Sequence, residues 1–107
     1  MTTFDDRGRG FENHYARDEE MAFRLTARRN KLVGQWAAAL MKLTPEETDA
    51  YAKSVVQADF EEAGDEDVVR KLLGDLTAAS ADVDESQVRQ ALAQQMIEAR
   101  RQLLKAE

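Results

Sequence analysis

Apolar residues recur along this chain at helical intervals. Phe11, Tyr15, Ala22, Leu25, Leu32, Trp36 and Leu40 follow steps of 4, 7, 3, 7, 4 and 4, which keep them on one side of a helix. The stretch from 11 to 43 has no proline and one glycine, Gly34, so the spacing predicts one long first helix there. Its apolar side is expected to meet the core or a partner, with the large Trp36 in the core. Arg17, Arg24, Arg28 and Lys31 form a second, basic stripe, and Glu20 stands four residues before Arg24, in the favourable order for a local ion pair. Phe23 lies on neither stripe.

Local signals place three further helices. Thr44-Pro45-Glu46-Glu47 supplies an N-cap threonine, a proline at N1 and a glutamate at N3, the pattern of a capping box. The helix it opens runs through Tyr51, Val55, Val56, Ala58 and Phe60 and is expected to stop near Ala63-Gly64, where glycine can turn left-handed. Asp65, Glu66 and Asp67 then oppose the positive end of a third helix, whose Val68, Val69, Leu72, Leu73 and Leu76 form a broad apolar face. Ser80 to Asp84 breaks it. Asp84 can cap a fourth helix carrying Val88, Ala91, Leu92, Gln95, Met96, Ala99, Leu103 and Leu104. Short connections favour antiparallel neighbours, so the expected fold is all-α, a four-helix bundle of up-down topology.

One mismatch of length has a consequence for function. A helix over 11–43 is about 50 Å long, whereas helices of 15 to 20 residues span about half of that. The N-terminal part of the first helix therefore cannot all be buried. Residues 1–17 are read as a mobile N-terminal segment and 18–107 as the bundle, with the segment projecting, fraying or disordered until a partner receives it. Phe4, Phe11 and Tyr15, three of the chain's seven aromatics, fall in this overhang. Aromatics in such a tail suggest binding.

Composition narrows the partners. The 107 residues carry a formal charge of −6, which argues against general affinity for nucleic acid or anionic lipid. The charge is uneven: residues 1–34 hold seven Lys/Arg against six Asp/Glu, and 35–107 hold eight against fifteen. There is no cysteine, and hence no disulfide framework or thiolate chemistry. No run approaches the about 18 apolar residues of a membrane span, and the start of the chain has no signal-peptide apolar region, so a cytoplasmic protein is expected.

Candidate chemistry adds little. His14 is the single histidine and has no evident metal or catalytic partners at suitable spacing. Glu61, Glu62, Asp65, Glu66 and Asp67 lack the alternating ligands and mid-loop glycine of a calcium loop, and helix-end electrostatics is the simpler reading. Arg7-Gly8-Arg9-Gly10 has neither the spacing nor the preceding strand of a phosphate loop and is short for an RNA-binding element. The run Arg28-Arg29-Asn30-Lys31 reads either as a solvated face or as a partner surface. No Ser, His and carboxylate arrangement points to catalysis, so neither an enzyme nor a cofactor is expected.

The N-terminal half nonetheless has a recognisable character. MTTFDDR at 1–7, the Phe11-Glu12 pair, Ala16 with Asp18-Glu19-Glu20, and ARRNKLVGQWAA at 27–38 together resemble the zeta subunit family of bacterial F-type ATP synthases. The likeness continues less densely through Tyr51-Ala52, Val55-Val56, Asp59-Phe60 and 64–68, and in the last helix is mainly one of character. The resemblance implies a four-helix bundle with a mobile N-terminus. It also implies that this segment enters an interface between the alpha and beta subunits of the ATPase head, approaches the gamma shaft, becomes helical and blocks rotation during ATP hydrolysis. Carried onto this chain, the inhibitory element comprises Thr3, Phe4, Asp5, Asp6, Arg7, Arg9, Phe11 and Tyr15. The same resemblance implies a protein that is a monomer when free and lies at the inner face of the plasma membrane, without inserting into it, when bound to the synthase.

Two other readings remain open from the residues alone. A helical adaptor or dimerisation module would associate along Phe11, Tyr15, Leu25 and Leu32 and could dispense with its first seven residues. A small-ligand-binding bundle, for a nucleotide among others, would show a saturable shift of core resonances. The chain departs from the zeta pattern at Gly8 and Gly10, inside the segment that must be helical. Each glycine costs about 1 kcal/mol against alanine in a helix, so the pair weakens insertion by about 2 kcal/mol, or about 30-fold in affinity. Gly8→Ala with Gly10→Ala is expected to strengthen inhibition of the matched ATPase head by up to that factor, measured as the concentration for half-maximal inhibition of ATP hydrolysis.

Overall fold

A computed structural model of the chain describes the backbone of residues 2–59 and 64–106, and side chains over 19–59 and 64–105. Four helices make up the fold: α1 (Thr2–Leu40), α2 (Pro45–Ala58), α3 (Glu66–Ala78) and α4 (Glu85–Ala106). There are no strands among the described residues. The all-α bundle with a long first helix is therefore what the sequence patterning led to. α1 begins nine residues earlier than predicted and takes Gly8 and Gly10 into its 39 residues. Glycine weakens a helix without forbidding it, and Asp5 and Asp6 lie near the positive end of the helix dipole.

The predicted capping box at Thr44 and the predicted cap at Asp84 both form. Thr44 Oγ1 accepts from the Glu47 N–H at 3.2 Å while the Thr44 N–H donates to Glu47 Oε1 at 2.8 Å, with Pro45 at the first helical position. The Thr44 backbone N–H, and then its hydroxyl, hold the Glu47 carboxyl below its ordinary pKa. Asp84 and Gln87 make the equivalent reciprocal pair at the start of α4, both bonds at 2.9 Å. These caps satisfy N–H groups that have no partner within the helix.

The helix ends differ from expectation. α1 stops at Leu40, three residues short of its predicted end, because Lys42 turns left-handed at φ 61°. The Leu43 N–H then reaches Ala38 O at 3.1 Å and the Lys42 N–H reaches Ala39 O at 3.2 Å, the two bonds of a Schellman motif. α3 ends the same way, with Ser80 at φ 63° and bonds from Ala81 to Leu76 and from Ser80 to Thr77. α2 ends at Ala58, earlier than predicted, and the left-handed Gly64 at φ 95° stands just before α3 and not at the end of α2.

α1 is the spine of the bundle. It touches α2, α3 and α4, while α2 and α4 do not touch one another among the described residues. Gly34 faces Ala52 across the turn at 41–44, so α1 and α2 form an antiparallel hairpin. Arg28 reaches Gln102 near the end of α4, whereas Val88, Ala91 and Leu92 near its start share a core with Val33 and Ala37, so α4 also runs antiparallel to α1. Val55, Val68, Leu72 and Leu76 complete that core, with Trp36 half-buried against it. α2 and α3 are tied by Tyr51, whose hydroxyl donates to Asp75 Oδ2 at 2.8 Å. Lys71 donates to the same oxygen at 3.1 Å and sits 5.1 Å above the Tyr51 ring. Burial, and then the Asp75 bond, push the Tyr51 hydroxyl pKa well above its ordinary value.

The buried face of α1 is turned by about one residue, roughly 100°, from the predicted stripe. Among the described residues its buried positions are Arg29, Asn30, Val33, Gly34, Ala37 and Ala38, while Leu25 and Leu32 are half-buried and Ala22 and Leu40 exposed. Small residues are needed here because α2 comes so close. A Cβ on Gly34 would lie 2.8 Å from the Ala52 Cα, and 3.3 Å from both the Ala52 Cβ and Val55 Cγ2. Adding it must displace backbone, at about 1–3 kcal/mol, against a helix-propensity gain of about 1 kcal/mol. Gly34→Ala is therefore expected to lower Tm by roughly 5 °C in a thermal melt. Lys42→Gly removes the left-handed strain and is expected to stabilise by about 1 kcal/mol in the same measurement.

Candidate partner-binding site

α1 outruns its partners. Its 39 residues correspond to about 58 Å, against about 21 Å for the 14 residues of α2 and about 33 Å for the 22 of α4. The molecule measures 64 × 27 × 22 Å, with a radius of gyration of 17.4 Å where a compact chain of this length has about 13 Å. Thr3, Phe4, Asp5, Asp6, Arg7, Arg9, Phe11 and Tyr15 all fall in the N-terminal part of this helix. Their side chains, and that of His14, lie outside the described residues.

The base of the extension is described in full. Glu19, Glu20, Ala22, Phe23 and Arg24 are exposed, Leu25 to Arg28 are half-buried, and Arg29 is the first buried position of α1 among the described residues. Arg24 Nη2 meets Glu20 Oε1 at 2.8 Å, the local pair that the sequence order favours. Arg28 Nη1 donates to Gln102 Oε1 on α4 at 2.8 Å. Arg29 Nη2 donates to Asp65 Oδ1 just before α3 at 2.9 Å, and Arg29 Nε and Nη2 both donate to Asn30 Oδ1, at 3.1 and 2.9 Å. Arg28 and Arg29 thus clamp the root of the extension to α4 and α3.

This clamp was not visible in the sequence. The run from Arg28 to Lys31 read as a solvated face or a partner surface, yet Arg29 is 5% exposed and Asn30 1%. Asp65 read as a helix-start charge, but it makes no side-chain cap bond. Its carboxylate is held by Arg29, which pairs a buried guanidinium with a half-exposed acid 36 residues away. Asn30 Nδ2 is buried without a hydrogen-bond partner, the one such side-chain atom among the described residues. No local pattern marks a pairing of that range.

Among the described residues no three His, Asp or Glu side chains are grouped to hold a metal ion. A hollow of about 450 Å³ lies between α1 and α2, lined by Lys31, Asp49, Ala52, Lys53, Val56 and Gln57. Its polar lining residues are all exposed, so it offers a small ligand no buried polar anchor. Among the described residues no helix is long and apolar enough to cross a membrane.

Comparison with known proteins supplies the identity of the fold. No curated protein sequence matches the chain. A solved structure, determined by solution NMR, superposes with a TM-score of 0.73 at 46% sequence identity, covering 81% of this chain and 99% of its own. A family model described as ATPase inhibitor subunit zeta matches residues 1–102, which takes in the extension, the clamp, α1 to α3 and all but the last four residues of α4. The chain belongs to the ATPase inhibitor subunit zeta family.

Proposed function

We propose that this protein is a regulatory inhibitor of an F-type ATP synthase. It inserts the N-terminal part of α1 between an alpha and a beta subunit of the ATPase head, near the gamma subunit, and blocks rotation during ATP hydrolysis. The division of labour is a mobile segment at 1–17 and an anchoring bundle at 18–107. Thr3, Phe4, Asp5, Asp6, Arg7, Arg9, Phe11 and Tyr15 are the contact residues, with the three aromatics as anchors. The free chain is a cytoplasmic monomer that needs no cofactor and joins the synthase at the inner face of the plasma membrane.

One observation carries this reading: α1 extends far beyond the helices that pack on it, and the stretch beyond them lies within the family match. A helix that finds no partner in its own chain gains stability by burying its aromatics elsewhere. Ordering it on contact costs conformational entropy, which aromatic burial and charge pairing must exceed. A wedge of this kind needs no reactive group, because obstruction of a rotor is a property of binding.

The test is hydrolysis of ATP by the F-type head from the same source. Inhibition is expected with the intact chain and lost when residues 1–17 are deleted. Deletion of residues 1–7 alone separates this reading from an adaptor that pairs along Phe11, Tyr15, Leu25 and Leu32. Inhibition that survives either deletion, or that the intact chain fails to show, overturns the proposal.

A further inference from the structure

The outer side of α4 carries a surface that the bundle does not use. Ile97 is 68% exposed and Leu104 62%, the two most exposed large hydrophobic side chains among the described residues. Their spacing of seven puts them on one helix face, with Arg100, Arg101 and Lys105 filling the same i, i+3, i+4, i+7, i+8 stripe. The sequence pattern counted Leu104 among the positions that characterise the fourth helix. It stands about 200° around the helix from Gln102, the residue that meets α1, and so faces away from the bundle. Arg101 is paired with Glu98, whereas no partner within the described residues engages Arg100 or Lys105.

We infer that this Ile97–Leu104 face is a second docking surface, which seats the bundle on an acidic, apolar-grooved patch of the protein that takes up the N-terminal segment. The inference rests on the proposed function for the identity of that protein. Its location follows from the packing. Gln102 meets Arg28, so the C-terminal end of α4 lies beside the root of the extension, at the end of the bundle from which α1 continues. Whatever receives the extension is brought against that end.

Charge selects the kind of surface. Arg100 and Lys105 give a cationic rim to an apolar pair in a chain whose net charge is −6, so the complement is apolar with an acidic border. A second copy pairing through the same face would set Arg100, Arg101 and Lys105 against their own equivalents, which like-charge repulsion disfavours. An anionic membrane would repel the rest of an acidic molecule, and two aliphatic side chains supply little insertion energy against that.

The test uses the full chain, bearing a fluorophore, and the purified ATPase head. Both direct binding and the half-inhibitory concentration are measured for the unaltered protein, for Ile97→Gln with Leu104→Gln, and for Arg100→Glu with Lys105→Glu. Thermal melts check that both variants fold. Each pair is expected to weaken binding and half-inhibition roughly tenfold, while inhibition at saturation stays complete, because the wedge itself is intact. Unchanged binding by both folded variants overturns the inference. It is also overturned if the substitutions instead dissolve a dimer in sedimentation, or release the protein from phosphatidylglycerol vesicles, with binding to the head unaltered. Binding without inhibition by the unaltered protein removes the proposed function, and weaker binding by the variants would then still support the α4 surface. No binding at all removes both.

Discussion

The approach of α2 to α1 at Gly34 is the constraint on which the arrangement depends. With 2.8 Å between a notional Gly34 Cβ and the Ala52 Cα, the two helices pack nearly backbone to backbone. That closeness fixes which side of α1 is buried, and so leaves Val33 and Ala37 for the core shared with α3 and α4. α1 thereby touches all three other helices through a seam of small residues, while its larger apolar side chains lie at the margin. The bundle grips one half of a long rod. The other half extends from it.

Rigid attachment of that rod is as important as its length. Arg29 is nearly enclosed and directs its guanidinium to Asp65 and Asn30, so the level at which α1 leaves the core is tied to the start of α3. Removing such a buried guanidinium's partner is costly, of order 3–5 kcal/mol for a fully buried pair and less here because Asp65 is half exposed. The Arg28 bond to Gln102 adds a tie to α4 from the neighbouring position. These contacts are where the base of the extension meets the bundle.

Much of this was legible in the sequence where the cause is local. The capping box at Thr44 and the cap at Asp84 depend on side chains three residues from the groups they satisfy, and both formed as the pattern implied, with Gln87 adding the reciprocal bond at Asp84. The ends of α1 and α3 were not legible, because Lys42 and Ser80 occupy left-handed positions where glycine is the usual signal. The buried face of α1 was misplaced by one residue, since periodicity weighs Leu32, Trp36 and Leu40 above Gly34, Ala37 and Ala38. Only the position of α2 reverses that ranking. Arg29 and Asp65 are 36 residues apart and become a pair only through the tertiary fold. For the candidate site, helix length exposed the extension, and the motifs in MTTFDDR and ARRNKLVGQWAA pointed to the family that the comparison identifies.

The central claim is that the stretch of α1 beyond the bundle is the part a partner buries. Amide hydrogen exchange of the full chain, free and bound to the F-type ATPase head, addresses it residue by residue. Protection is predicted to rise across residues 2–17 on binding, while the core positions Val33, Val55, Leu72 and Val88 stay as protected as before. A rise confined to the bundle, with residues 2–17 exchanging as they do in the free chain, would contradict the account.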